Sequence, residues 1–233
     1  FKLGNSVYLP GMVLPMLPES LSNDVCSLKP NRKRLAHSVF MEFDRSGKML
    51  GWEIADTVIK SAAKLSYEEV QDFFDHGIPE GREGAKMRKV AENLTLAREL
   101  AQLLSKRRFA EGSLDFDLPE AKITLNKAGE VIALSNRIRL ESHRLIEEFM
   151  LAANKAVALE MFRSTQPFLY RVHDRPDMEK LEAFSAMMAR LGYRFAVSKT
   201  TRPVDLARFL ETVKEKPEAD FINELMLRSM QKA

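Results

Sequence analysis

His143 and Glu147 stand four residues apart, the spacing that places two metal-binding side chains on one face of a helix. Two ligands are too few for a site, and both residues belong to a wider pattern. At about 100° per residue, His143, Glu147 and Asn154 fall within roughly 40° of one another, bordering an apolar face of Leu145, Ile146, Phe149, Ala153 and Val157. Taken alone, such a polar stripe is usually a solvated flank. Tyr8 sits in a loop stiffened by Pro10, Pro15 and Pro18 and is well suited to offering a ring face, although a tyrosine near proline more often packs within its own loop. Phe116 alternates with Asp115 and Asp117, so in an extended segment its ring points away from both carboxylates. Burial in a core is the commoner fate of phenylalanine, and the two aspartates read as surface charge rather than a metal pair. The chain has no Gly-rich phosphate loop, no nucleophile elbow, no His-Glu-x-x-His and no second cysteine, which removes most motif-defined enzyme classes.

The elements that must position these residues are α+β in pattern: antiparallel β hairpins flanked by several amphipathic helices. Residues 1–20 read as an ordered extended loop, because their prolines deny a regular helix its amide donors. His37 to Phe43 and Met49 to Lys60 predict two strands joined by the turn Asp44-Arg45-Ser46-Gly47. Ser66 and Glu69 have the capping-box spacing and open a short helix through Phe74, ended by His76-Gly77. From about Glu83 to Ala110, Val90, Leu94, Ala97, Ala101 and Leu104 recur at threes and fours and predict one long helix closed by Gly112. A second hairpin follows from Ala121 to Asn126 and from Val131 to Ser135. Arg144 to Met161 is the strongest helical pattern in the chain. Leu169 to Val172 reads as a short strand, and helices follow over Met178 to Leu191, Pro203 to Val213 and from Phe221 onward.

Composition narrows the class. With 233 residues, 45% hydrophobic and 30% charged, the chain has ample material for one large domain or two small ones. Lysine and arginine number 36 against 33 acidic residues, a net charge of +3 that permits an anionic partner without demanding one. Basic residues gather at Lys29, Arg32, Lys33 and Arg34 and at Lys106, Arg107 and Arg108, runs that most often are solvated surface. Cys26 is the only cysteine, which excludes an internal disulfide, suits a reducing cytoplasm, and leaves Cys26 to pack as a small apolar residue. No apolar run approaches the roughly 20 residues that cross a bilayer, and the start carries no signal-peptide pattern. Trp52, inside a predicted strand, is assigned to the core. The chain begins at Phe1, and both ends read as cut.

Six segments occur in the order found in one family: Ser6-Val7-Tyr8-Leu9-Pro10-Gly11; Pro15-Met16-Leu17-Pro18-Glu19-Ser20-Leu21-Ser22; Leu114-Asp115-Phe116-Asp117-Leu118-Pro119-Glu120; His143 through Asn154; Tyr170-Arg171-Val172-His173-Asp174; and Met226-Leu227-Arg228-Ser229-Met230. The chain thereby resembles the RNB exoribonucleases, the ribonuclease R and ribonuclease II family, and the ribonuclease R branch more closely. The resemblance implies a partial RNB catalytic domain over residues 1–233 without the family's OB-fold RNA-binding domains. It implies processive hydrolysis of single-stranded RNA from the 3′ end to nucleoside 5′-monophosphates by a cytoplasmic monomer that needs no membrane. Two divalent ions, magnesium in the full enzyme, would activate water and steady the leaving oxygen. The family's metal-binding aspartates precede the Tyr8 segment, and its arginine-bearing Ser-Pro-Ile-Arg-Arg motif follows Met230. This chain contains neither, so it is expected to bind no magnesium alone, to be inactive in isolation, and to hold no catalytic residue of its own.

The resemblance further implies that Tyr8 stacks on the 3′-terminal base and that Phe116 caps the far end of the stacked bases. Glu147 matches the glutamate that contacts the terminal nucleotide, at its sugar hydroxyl, and Asn154 lies on the same stripe. His173 is expected to be a hydrogen-bonded, half-buried structural residue. The rival reading is a non-catalytic RNA-binding module of the same fold.

Overall fold

The computed structural model describes residues 4–114, 116, 121–136, 138–172, 174, 176–198 and 200–231. It divides into two compact units: unit 1 comprises Phe1–Leu104 and Ala121–Arg163, and unit 2 comprises Ser105–Glu120 and Ser164–Ala233. Asp115, Asp117 and His173, all singled out from the sequence, lie outside the described residues.

In place of the expected loop, residues 7–14 form a tight antiparallel hairpin, β1 (Val7–Leu9) and β2 (Met12–Leu14), with Leu9 opposite Met12. Proline at the first and glycine at the second central position of the turn carry the chain round, with Gly11 at φ 75. The prolines forbid a helix but not a two-stranded ribbon, since Pro10 occupies the turn and needs no ladder donor. A short π-helix follows at Ser20–Val25. Cys26 caps it and is exposed, not packed among apolar residues as expected.

The long hairpin β3 (Lys33–Phe43) and β4 (Met49–Lys60) pairs from Lys33 opposite Lys60 to Phe43 opposite Met49. Its turn is closed by the Asp44 carboxylate, which accepts from the amides of Ser46 at 2.8 Å and Lys48 at 2.9 Å. Helix α1 (Tyr67–His76) has the anticipated capping box, with Glu69 N–H donating to Ser66 Oγ and Ser66 N–H to Glu69 Oε2. The single helix expected from Glu83 to Ala110 is two, α2 (Gly81–Arg88) and α3 (Ala91–Ala110). At the break Val90 N–H bonds to Met87 O, a three-residue step, before Leu94 N–H resumes the four-residue step onto Val90 O. Met87 and Leu94 remain within about 20° of the same face, so apolar spacing runs through the break without marking it. Strands β5 (Ala121–Leu125) and β6 (Val131–Asn136) form the third two-stranded ribbon, and α4 (Glu141–Ser164) closes the unit.

Unit 2 is helical, with α5 (Met178–Arg190), α6 (Pro203–Val213) and α7 (Ala219–Ser229). Its core follows helical spacing: Leu181, Phe184 and Met188 from α5, Leu206, Phe209, Leu210 and Val213 from α6, and Ile222 and Met226 from α7. Phe184, Phe195 and Phe209 meet with centroids 4.7 to 5.8 Å apart. Gly112, at φ 97, ends α3 where a Cβ would stand 2.7 Å from the Val204 amide nitrogen, so close packing as well as backbone conformation calls for glycine there. The strand expected at Leu169 to Val172 does not form. Leu169 is 97% exposed, and without a neighbouring strand an apolar run has no ladder to satisfy its backbone.

Candidate nucleic-acid interface

Helix α4 carries two of the four proposed contact residues and is fastened at both ends. Near its start, the Arg98 guanidinium grips the Glu141 carboxylate in a two-point contact, Nε to Oε1 at 2.9 Å and Nη2 to Oε2 at 2.5 Å, while Gln102 donates to the same carboxylate at 2.7 Å. Buried Ser142 donates through Oγ to Tyr67 O at 2.8 Å, and its amide donates to Gln71. His143 stacks on Tyr67 with centroids 4.1 Å apart and accepts the Leu140 N–H at Nδ1. Toward the other end, Trp52 Nε1 donates to Glu160 at 2.9 Å and Arg163 lies over the indole at 4.5 Å. Trp52 is therefore half-buried against charged groups of α4 rather than sunk in the core, because its N–H needs an acceptor.

The Arg98 contact, reinforced by Gln102, holds the Glu141 carboxyl below the ordinary carboxylate range against an opposing effect of burial. A depressed folded-state value contributes stability above the unfolded glutamate value of about 4.3, and that stability is lost as pH falls through the lowered one. Because both side chains retain about a third of their exposure, the contribution is on the order of 1 kcal/mol or less. Urea unfolding of the parent and of Glu141→Gln at pH 6 and pH 3.5 should show a larger acid loss for the parent. Equal losses would show that the ion pair carries none of it.

Glu147 lies one turn beyond His143 on α4, half-buried, and accepts from Arg139 Nη2 at 2.5 Å. Asn154 follows about two turns later on the same helix and is exposed. Sequence spacing did not reveal Arg139: it precedes α4, so it shares no helix or strand with Glu147 and no periodicity relates the two.

Tyr8 sits on β1 with 78% of its surface exposed. The hairpin that presents it is anchored elsewhere. Met16 N–H donates to Ser6 Oγ at 3.1 Å, and a Cβ on Gly11 would lie 2.8 Å from Leu125 Cδ1, so the turn packs on β5 while the tyrosine stays in solvent. Phe116 belongs to unit 2, where it is half-buried against the helical core of Leu181, Phe184 and their neighbours. The burial weighed against base contact for phenylalanine is therefore partly realised.

The basic runs are partly compensated. Asp24 accepts from Lys29 at 2.6 Å and lies 3.4 Å from Arg34, and the Lys29 contact first among its neighbours keeps the Asp24 carboxyl low. Arg107 pairs with Glu111 at 2.9 Å, and Arg108 lies over the Phe109 ring. Among the described residues no three His, Cys, Asp or Glu side chains gather as metal ligands. No described helix is long and apolar enough to cross a membrane.

Short antiparallel ribbons beside long helices make an α+β fold, with 47% of the described residues helical and 19% in strands. The chain belongs to the RNB domain family, whose model matches residues 1–233. It is 37% identical over 233 residues to ribonuclease R of Aquifex aeolicus, covering 100% of this chain and 33% of that protein. Its fold matches Mycoplasma genitalium RNase R in complex with ribose methylated single-stranded RNA, with a TM-score of 0.91 at 28% identity over 98% of this chain and 35% of that one. The same protein in complex with double-stranded RNA matches with a TM-score of 0.90 at 28% identity over 97% of this chain and 40% of that one. The chain spans about a third of the length of the curated relatives it matches.

Proposed function

We propose that this chain is the RNA-positioning part of a 3′-to-5′ exoribonuclease that processively hydrolyses single-stranded RNA to nucleoside 5′-monophosphates. The RNB family match across residues 1–233, to relatives named ribonuclease R and to a fold that holds RNA, is the observation that carries this reading. Tyr8 receives the 3′-terminal base on its exposed ring, and Glu147 with Asn154 meets the backbone and its sugar; Phe116 is assigned to the far end of the stacked bases by the family resemblance. Magnesium bound to the full protein would supply an activated water. The protein acts in the cytoplasm as a monomer.

The test uses the full protein and 5′-labelled single-stranded RNA with magnesium. The expected result is progressive shortening from the 3′ end with release of nucleoside 5′-monophosphates, and no such release from the 233-residue chain alone. Internal cleavage, or cleavage from the 5′ end, would overturn the exonuclease reading. Tight RNA binding with no shortening would establish the non-catalytic module instead.

A further inference from the structure

Glu147 can recognise a ribose hydroxyl only if its carboxylate is aimed at the sugar, and Arg139 is a group placed to aim it. Arg139 Nη2 donates to Glu147 Oε2 at 2.5 Å, and the two side chains keep 28% and 31% of their exposure. The pair is thus reachable by a ligand yet shielded from full solvation. Arg139 is itself tethered: the following residue, Leu140, donates its N–H to His143 Nδ1, His143 stacks on Tyr67, and Glu141 is held by Arg98 and Gln102. The guanidinium therefore approaches Glu147 from a fixed stretch of backbone, not from a mobile arm. Partly exposed ion pairs contribute little to stability, so this one accounts for little of the fold. A planar, permanently charged donor does, however, fix the plane in which a carboxylate presents its second oxygen.

We infer that Arg139 is a positioning residue for ribose recognition: it orients the Glu147 carboxylate toward the sugar 2′-hydroxyl and does not itself bind RNA. The inference rests on the reading of Glu147 as the sugar contact. It assigns discrimination between RNA and DNA to a pair of residues, of which only the second is on the helix.

Binding of a five-nucleotide RNA and of the DNA of the same sequence to the full protein, without divalent metal, tests it by fluorescence anisotropy. Arg139→Met should lower the ratio of RNA to DNA affinity about tenfold, as expected for losing an aimed hydrogen bond to a charged group. It should act mainly on RNA and move the melting temperature little. Arg139→Gln, similar in length but uncharged, should lower the ratio less, and it carries the test if the methionine variant does not fold. In a Glu147→Gln background, Arg139→Met should add nothing further, since both act through one contact. Two results overturn the inference alone: a parental ratio in both Arg139 variants while Glu147→Gln lowers it, or equal weakening of RNA and DNA, which would make Arg139 a phosphate contact. A parental ratio in Glu147→Gln would overturn the sugar-contact reading and the inference with it.

Discussion

Replacing Tyr8 with alanine in the full protein is expected to weaken capture of an RNA 3′ end by about 1 to 3 kcal/mol, roughly fivefold to more than a hundredfold, while the melting temperature stays within a degree or two. The two halves of that expectation have separate causes. A base stacked on a tyrosine loses its platform when the ring is removed, and the loss falls on binding because the ring is 78% exposed in the folded chain. The hairpin does not depend on the ring, since it is held by its turn against Leu125 and by the Ser6 hydroxyl. The lost group positions a nucleotide and supplies neither charge nor metal, so the length of the shortest product should change along with affinity. Anisotropy, end-product length and thermal melting read the three effects. A variant matching the parent in affinity and product length would show that Tyr8 does not stack on RNA.

Replacing Ile222 with alanine is expected to cost about 2 to 5 kcal/mol and to lower the melting temperature on the order of 10 °C or more. Ile222 is fully buried at 0% exposure among Leu181, Phe184, Leu206 and Met226, in a core where three helices meet. Truncation there removes favourable transfer and leaves a cavity that rigid neighbours fill only in part. Phe116 packs on this same core, so the variant should also disturb RNA capture wherever Phe116 takes part, whereas Tyr8→Ala leaves unit 2 untouched. Denaturant unfolding followed by the near-ultraviolet signal would measure the loss. A cost below 1 kcal/mol would mean that unit 2 is not packed as described.

Local rules carried much of the fold. The capping box at Ser66 and Glu69, the long hairpin, the Asp44 turn, the hairpin of β5 and β6 and the four later helices each depend on residues within a few positions of one another. The misreadings have a shared cause. The break at Lys89 and Val90 lacks proline or glycine, and the apolar face continues across it. The Leu169 segment has strand-forming residues without a neighbour to pair with, and Cys26 and Trp52 were assigned by the habits of their residue types rather than by their surroundings.

By itself the sequence determined most of the helices, the two longer ribbons and, through six ordered motifs, the family to which they belong, because periodicity, capping and turn chemistry are short-range. Only the tertiary structure decided which side chains act together. Arg139 with Glu147, Arg98 with Glu141 and Trp52 with Glu160 are separated by eight, 43 and 108 positions. No periodicity links such pairs; they meet only when helices and ribbons bury their apolar faces. Burial likewise set the different circumstances of two aromatic residues that look equivalent in the sequence. The turn of its hairpin packs on β5 and leaves Tyr8 in water, while the need to fill a three-helix core draws Phe116 halfway into protein.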